Sequence, residues 1–340
     1  MKAIVFEKHG GPEVLKYMDV PDPVIGPCSV LVRVRACALN HLDLWVRQGL
    51  PGIPLPHIPG SDIAGEIARV GEAVTNARPG EKVLLQPGVS CGKCPKCLEG
   101  NDSECRQYTL LGQGLDGGCA EYVAAPAANV VPMPKEMSFE EAAAFPLVFL
   151  TAWHMLFTRA RLAAGETVLI LGAGSGVGTA AIQLAKTAGA RVIATAGSAA
   201  KLAKARELGA DEVIDHSQQK ISAEVKRLTN GRGVDVVFEH VGQATWEESL
   251  RSLAVAGRLV TCGATTGYDG RIDLRHLFVK QISILGSFMG GKGELFPPLE
   301  LFARRRVAPV IDVVMPLEKC AEAHERMERR EQFGKIVLKV

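Results

Sequence analysis

Residues 165–198 read GETVLILGAGSGVGTAAIQLAKTAGARVIATAGS, and the rest of the chain is interpreted from this stretch. Thr167–Leu171 is a short, apolar, β-branched run, which is typical of a strand buried on both faces. A glycine-rich turn follows, then an alanine-rich segment that ends at Gly189, then a second apolar run at Arg191–Thr195. This order predicts a strand–helix–strand unit. Its turn would lie at the helix N-terminus, where free backbone N–H groups and the helix dipole favour a pyrophosphate.

The glycine-rich turn predicts dinucleotide binding. Ala173 and Ser175 stand where a G-x-G-x-x-G pattern usually carries its first two glycines, so the pattern is incomplete. Gly176 would let the backbone approach the phosphates, and Gly178 would let the helix pack closely on the strand. An ordinary strand–helix loop is the alternative, but the readable strand and helix supply the context that the motif requires. The expected cofactor-binding residues of the turn are Gly174, Ser175, Gly176, Val177 and Gly178.

The end of the second predicted strand bears on cofactor choice. NAD enzymes usually carry an acidic residue about 20 positions after the glycines, where it binds the ribose 2′-hydroxyl. Here Ala196 and Gly197 fill that position, followed by Ser198 and Lys201, which could bind a 2′-phosphate. Alternatively, Ser198 only N-caps the helix 199–208 and Lys201 is a solvated lysine. NADP(H) is therefore predicted in preference to NAD(H).

Length and charge restrict the class of protein. The chain has 340 residues, enough for two domains, and 47% of them are hydrophobic. The 39 basic residues nearly balance the 37 acidic ones, which gives no reason to expect nucleic acid or an anionic membrane as a partner. No apolar run reaches the roughly 18 residues that a membrane span needs, and the N-terminus lacks a signal-peptide core. A cytoplasmic location is predicted.

The chain divides into a β-rich first part and a second part of alternating strands and helices. Prolines punctuate the first part, and Ser138 to Glu141 form a capping box that opens a helix. Four further buried strands are predicted at Glu212–Asp215, Val234–Glu239, Arg258–Cys262 and Ile282–Gly286. Six strands in all are typical of a doubly wound nucleotide-binding sheet. A helix near Leu317–Arg330 and a strand at Lys335–Val340 are expected to return to the first domain.

Four of the nine cysteines form a C-x2-C-x2-C-x7-C pattern. Thiolates at this spacing predict a tetrahedral zinc site, and because protein ligands fill all four positions the site would be structural. A redox dithiol at Cys94 and Cys97 and an iron–sulfur cluster are the alternatives. The other cysteines are scattered and are expected to be small apolar residues. The four ligands are Cys91, Cys94, Cys97 and Cys105.

The whole chain resembles the medium-chain dehydrogenase/reductase superfamily. The resemblance lies in the β-rich first part, the segment that carries the four clustered cysteines (here called the cysteine lobe) and the dinucleotide-binding unit. Further matching pieces are GGPEVL at 10–15, LTAW at 150–153 and FGKIV at 333–337. The resemblance implies a GroES-like catalytic domain at 1–149 and 289–340, with a zinc lobe near 88–110, and a Rossmann domain at 150–288. It also implies an active site in the cleft between the domains. A homodimer or homotetramer is implied too, often joined through the last strand of the sheet, here near Ile282–Gly286.

The chain departs from the zinc alcohol dehydrogenases of this superfamily at the catalytic metal. The resemblance places the family's cysteine ligand on Asn40, its His-Glu pair on Ser61-Asp62, and its third ligand within the apolar stretch 147–150. None of the usual ligands is present. Asn40 resembles instead the asparagine of the metal-free quinone oxidoreductase branch, which lies beside the nicotinamide. That branch generally lacks the cysteine lobe, so the chain combines features of two branches.

These observations predict hydride transfer from NADPH to a small carbonyl, enone or quinone substrate, without a standard catalytic zinc. Asn40 is the expected donor to the developing oxyanion, and His41 or water the proton source. Asp43 would orient the loop of His41, and Ser61 and Asp62 complete the candidate catalytic set, although each of these residues could have only a structural role. An atypical zinc at Asp62 and His41 is the second hypothesis, and an NADPH-binding structural or sensor protein without turnover is the third. A zinc-ribbon nucleic-acid module is the weakest.

Overall fold

The computed structural model describes all 340 residues, which form two compact units. The first unit comprises Met1–Val148, Gly291–Leu299 and Pro309–Val340, and the second comprises Phe149–Gly290 and Glu300–Ala308. The segment 300–308, which the resemblance assigns to the first domain, therefore belongs to the second unit by its contacts.

The strands in chain order are β1 (Lys2–Val5), β2 (Lys16–Asp19), β3 (Ser29–Ala38), β4 (Asp62–Val70), β5 (Lys82–Leu85), β6 (Gly88–Val89), β7 (Thr109–Leu110), β8 (Tyr122–Pro126), β9 (Val130–Pro132), β10 (Thr167–Ile170), β11 (Arg191–Ala196), β12 (Glu212–Asp215), β13 (Val234–Glu239), β14 (Leu253–Thr261), β15 (Ser283–Gly286), β16 (Ile311–Pro316) and β17 (Lys335–Lys339).

The α-helices are α1 (His41–Gln48), α2 (Pro95–Leu98), α3 (Phe139–Ala143), α4 (Pro146–Trp153), α5 (Gly176–Thr187), α6 (Ala199–Glu207), α7 (Ile221–Leu228), α8 (Trp246–Ser252), α9 (Leu274–Val279), α10 (Phe296–Ala303) and α11 (Cys320–Glu328). A π-helix at His154–Arg159 follows α4. None of the helices combines the length and the apolarity needed to cross a lipid bilayer.

The second unit is built on a parallel sheet of six strands in the order β12-β11-β10-β13-β14-β15. This is the strand order of a doubly wound dinucleotide-binding fold, with β10 at the centre. Val168, Leu169 and Ile170 of β10 are fully buried, as the apolar run predicts for a central parallel strand. The strands β12 and β13 have the predicted bounds. The predicted doubly wound sheet is confirmed.

The first unit holds a mainly antiparallel sheet of seven strands. Its main path is β16-β17-β3-β4-β5-β9, and β8 pairs with the first half of β3. The ten residues of β3 carry two partners on one edge: Ser29–Arg33 pair with β8, and Ala36–Ala38 pair with β17. The apolar side chains of this sheet pack against those of β1, α1 and α11 in one core. The predicted β-rich part of the α/β architecture is thus confirmed.

The register of the first sheet brings three chain segments to one corner. Ala38, at the end of β3, pairs with Asp62 at the start of β4 and with Val337 near the start of β17. Because both pairings are antiparallel, residue 40 leaves β3 beside residue 335, and the backbone N–H of Leu39 donates to Ile336 O at 2.9 Å. Residues that are far apart in the sequence therefore meet at this corner.

Candidate functional site

Asn40, Asp62 and Lys335 form a buried hydrogen-bonded ring, here called the Asn40 cluster. Lys335 Nζ lies 2.6 Å from Asn40 Oδ1 and 2.8 Å from Asp62 Oδ2. Asn40 Nδ2 donates to the same Asp62 oxygen at 2.9 Å. Asn40 is 7% exposed, Lys335 2% and Asp62 not at all. The other Asp62 oxygen accepts from the backbone N–H of Leu147 at 2.8 Å.

The carboxylate of Asp43 accepts hydrogen bonds from two backbone N–H groups next to the Asn40 cluster. Asn40 N–H donates to Asp43 Oδ2 at 2.7 Å, and Gly60 N–H donates to Asp43 Oδ1 at 3.0 Å. Burial raises the pKa of Asp43 to about 6, against the opposing effects of these two amide donors and of the Lys335 charge. Asp43 therefore ties the start of α1 to the loop that leads into β4.

The remaining candidate catalytic residues have less definite surroundings. His41 is half-buried at the first position of α1, with its ring edge-on to Trp45 at a centroid distance of 5.0 Å. Ser61 is fully buried, and its hydroxyl has no hydrogen-bond partner in the protein. The structure thus brings together Asn40, Asp43 and Asp62, with Ser61 next to Asp62 in the chain.

The glycine-rich turn has the close approach that its sequence predicts. Ser175 N-caps α5, and its hydroxyl accepts from the backbone N–H of Gly178 at 2.9 Å. A Cβ on Gly178 would lie 2.5 Å from the carbonyl oxygen of Gly172, so only glycine fits where α5 packs against the turn that follows β10. Gly174 lies in the turn, and Gly176 and Val177 begin α5, so free backbone N–H groups of the kind that favour phosphate are found here.

The loop after β11 carries the residues expected near the adenosine ribose. Ala196 ends β11, and Ser198 N-caps α6 by accepting from Lys201 N–H at 3.4 Å. Gly197 lies close to His216, because a Cβ on this glycine would be 2.9 Å from His216 Nε2. No carboxylate stands at the end of β11, where an NAD-type acidic residue is usually found.

Sequence reasoning missed His240, which follows β13 beside the turn. Its Nε2 lies 2.8 Å from Leu171 O and 3.3 Å from Ser175 Oγ, and burial lowers its pKa. Lys335 was also missed as a site residue, although its FGKIV segment is one of the matching pieces. The only available signal was a charged residue at the start of an apolar strand, and that signal does not distinguish a buried lysine from an exposed one.

The four cysteines of the lobe converge on one point. The Sγ atoms of Cys91, Cys94, Cys97 and Cys105 all lie within 4.8 Å of one another. The Cys91–Cys97 and Cys94–Cys97 sulfur pairs are 3.8 Å and 3.5 Å apart, close to the roughly 3.8 Å edge of a tetrahedron with zinc–sulfur bonds of about 2.3 Å. Hydrogen bonds from the amides of Lys93 and Cys94 lower the pKa of Cys91 to about 6, whereas, against a hydrogen bond from the Cys97 amide, burial and the neighbouring thiols raise the pKa of Cys94 to about 11. The donor set fits a structural zinc ion.

Comparison with known proteins identifies the family. A sequence model of the alcohol dehydrogenase GroES-like domain matches residues 26–135, and one of the zinc-binding dehydrogenase domain matches residues 176–304. The quinone oxidoreductase of Rattus norvegicus is 32% identical, over 99% of this chain and 97% of its own length. The chain belongs to the medium-chain dehydrogenase/reductase superfamily.

Two further relatives indicate how broad this superfamily is. The crystal structure of an NAD-dependent alcohol dehydrogenase matches the whole chain and its own full length, with a TM-score of 0.97 and 48% identity. The acryloyl-coenzyme A reductase of Metallosphaera sedula is 34% identical, over 99% of both chains. This member of the superfamily is thus an NAD(P)-dependent oxidoreductase of the alcohol dehydrogenase and quinone oxidoreductase type.

Proposed function

We propose that this enzyme transfers hydride between NADP(H) and a small carbonyl, enone or quinone substrate without a catalytic metal. The observation that carries the proposal is the Asn40 cluster. The negative charge of Asp62 already has the ammonium group of Lys335 as its partner, 2.8 Å away. A second zinc ion would have to displace that ammonium, and Asn40 is a poor zinc ligand compared with cysteine or histidine.

The residues of the chain have distinct tasks in this proposal. The nicotinamide, when bound, supplies the hydride. The turn from Gly174 to Gly178 binds the pyrophosphate through backbone N–H groups, and Ser198 and Lys201 bind the 2′-phosphate. The Asn40 amide holds the substrate oxygen as negative charge develops on it. His41 or water supplies the proton.

The NADP(H) preference rests on the loop after β11. Ala196 and Gly197 offer no carboxylate to a ribose 2′-hydroxyl, and Ser198 and Lys201 offer a hydroxyl and a positive charge. The related alcohol dehydrogenase at 48% identity is NAD-dependent, so NAD(H) is the alternative to be tested.

A conjugated acyl thioester is a second candidate substrate. The acryloyl-coenzyme A reductase of Metallosphaera sedula is 34% identical over nearly its whole length, and its substrate is a conjugated carbonyl compound like an enone or a quinone. A kcat/KM for acryloyl-coenzyme A at least tenfold above that for methyl vinyl ketone and benzoquinone would favour the thioester.

Steady-state assays combined with metal analysis test the proposed function. We expect one zinc ion per chain and oxidation of NADPH by enones or quinones. Two zinc ions per chain with alcohol oxidation would support the atypical zinc at Asp62 and His41 instead. Binding of NADPH with no turnover of quinones, enones or aldehydes would support the structural or sensor protein.

We propose further that the enzyme is a homodimer or homotetramer joined through β15. This strand forms one edge of the six-stranded sheet, and Ile284 on it is 38% exposed. Beside it in the sequence, Leu274, Phe278 and Val279 of α9 are 65–68% exposed. An open strand edge next to large exposed apolar side chains favours pairing with a second copy of the chain.

The nine cysteines support a reducing compartment such as the cytosol. None of them forms a disulfide, and four have converging sulfur atoms, which in this proposal bind zinc as reduced thiolates.

A further inference from the structure

The hydrogen bonds of Lys335 determine which way the Asn40 amide points. A lysine ammonium can only donate, and an ionised carboxylate can only accept. Asn40 stands between the two, so its carbonyl oxygen must face Lys335 and its Nδ2 must face Asp62, as the 2.6 Å and 2.9 Å contacts show. The reverse amide orientation would place N–H against ammonium and oxygen against carboxylate.

This arrangement leaves one N–H of the Asn40 amide weakly engaged. Of the two Nδ2 protons, one is directed to Asp62, and the other Nδ2 contact within the protein is Ala38 O at 3.5 Å, the limit of a hydrogen bond. The weakly held N–H is the one that can turn to a substrate oxygen. Its direction is fixed by the two stronger contacts of the amide, that of Oδ1 with Lys335 and that of Nδ2 with Asp62.

We infer that Lys335 is a positioning residue of the active site: it fixes the side-chain amide of Asn40 and supplies the positive charge of the Asn40 cluster. This inference rests on the proposed function, in which Asn40 holds the substrate oxygen. Lys335 acts through Asn40 and Asp62, because it is 2% exposed and both of its hydrogen-bond acceptors belong to the cluster.

Charge balance at the cluster supports this role. Asp43 and Asp62 are both fully buried, and Lys335 is close enough to affect the titration of Asp43 as well as to bind Asp62. Without Lys335, two buried carboxylates would share a site that contains no cation. A buried ion pair is often no more stabilising than apolar residues of the same volume. Folding alone therefore does not explain why a lysine occupies this position.

Three variants separate positioning from simple stabilisation. Lys335→Met removes the ammonium and leaves Asp62 as a buried unpaired charge, so both thermal stability and turnover are expected to fall. Lys335→Met combined with Asp62→Asn removes both charges. Lys339→Met is the matched control, because Lys339 lies on the same strand and is exposed.

We expect kcat to fall in variants that lack Lys335 whether or not their melting temperature is restored. Lys335→Met should lower kcat at least 100-fold with KM for NADPH changed less than threefold. The double variant should recover most of the lost melting temperature while kcat stays low. Lys339→Met should leave kcat and the melting temperature unchanged. Recovery of kcat together with the melting temperature in the double variant, or near-normal kcat in Lys335→Met, would overturn the inference.

A readout that needs no turnover keeps this test separate from that of the proposed function. The chain has five asparagines, so selective ¹⁵N-asparagine labelling gives five side-chain NH2 pairs. The Asn40 pair is identified by its loss in Asn40→Asp. In Lys335→Met this pair should shift and exchange with solvent at least tenfold faster, and in Lys339→Met it should not. An unchanged Asn40 pair refutes the inference; a changed pair in an enzyme that reduces no carbonyl substrate refutes the proposed function alone.

Discussion

A single substitution can separate the N-capping role of Ser198 from its proposed role in cofactor binding. Ser198 N-caps α6, and in the proposed function it also binds the 2′-phosphate of NADP(H). Aspartate is as good an N-cap as serine but repels a phosphate. Ser198→Asp should therefore weaken NADPH binding by about 10- to 100-fold, equivalent to about 1.4 to 2.7 kcal/mol, and leave NADH binding within threefold.

Fluorescence titration with both reduced cofactors measures this change. Ser198→Asn is the matched control, because asparagine keeps the cap without the charge. Equal weakening of NADPH and NADH, or none, would show that Ser198 does not contact the 2′-phosphate.

Lys335 shows the limit of prediction at the scale of residues. Lys335 and Lys339 flank the same apolar run, yet Lys335 is buried and Lys339 is exposed. The difference arises from strand pairing, which places residue 335 next to the end of β3. Since that pairing joins segments almost 300 residues apart, no local pattern could distinguish the two lysines. Asn40 and Asp62 were identifiable because the family resemblance singles out those positions.

Among the elements, the cysteine lobe allows a direct test of its proposed zinc. Cys97→Ser should lower the zinc content from one ion per chain toward zero and lower the melting temperature by about 5 °C or more. NADPH affinity should stay within threefold, because the glycine-rich turn lies in the other unit. Metal analysis and calorimetry measure both effects.

Cys28→Ser is the control for this variant, because Cys28 is exposed and lies outside the cluster. Retention of a full zinc ion in Cys97→Ser would argue against four-cysteine ligation.

The contact between α1 and α11 predicts a pH dependence of stability. Burial, together with the Arg47 charge, lowers the pKa of His324 in α11 to about 3. Below pH 6.5 the unfolded chain binds a proton at this residue that the folded chain does not. The stabilising contribution of neutral His324 is therefore complete above pH 6.5 and is lost as the pH falls toward 3.

Urea unfolding at pH 7 and pH 5 measures this loss, which should be about 2 kcal/mol greater in the parent protein than in His324→Gln. Glutamine can still accept from Arg47, whose Nη1 lies 3.3 Å from His324 Nδ1. The raised pKa of Asp43 makes the free energy of unfolding change with pH in the opposite direction. This effect is the same in the parent protein and in His324→Gln, so it cancels in the comparison. An equal loss of unfolding free energy between pH 7 and pH 5 in the two proteins would contradict the prediction.

Regular elements of the sheet were predictable, and irregular ones were not. Short apolar cores, Val213 and Ile214 in β12 and Val236 to Phe238 in β13, mark these two strands, and the predicted bounds agree with the observed ones. The strand β14 begins at Leu253, five residues before the predicted start, and passes through Ala256, a non-glycine residue with a φ of 58°. Its pairing with β13 shifts register. Bulges of this kind depend on the neighbouring strand and leave no periodic signal in the sequence.

For the whole molecule, the exposed edge of the six-stranded sheet predicts the oligomeric state. Ile284→Lys on β15 places a charge in the proposed interface, so a homodimer should dissociate to monomers, and a homotetramer to smaller species, in analytical ultracentrifugation. Val24→Lys is the control, because Val24 is 93% exposed and lies in the other unit. An unchanged sedimentation coefficient for Ile284→Lys would place the interface elsewhere.

The order in which the chain is synthesised has a consequence for the first unit. Asp62 precedes its ammonium partner by 273 residues, a delay of roughly 14 to 55 s at ordinary rates of translation. Nearly all of the second unit leaves the ribosome during that delay. During this time the first sheet lacks β17, and the carboxylate of Asp62 therefore lacks the positive charge of Lys335. The Asn40 cluster is therefore complete only after almost the whole second unit has been made.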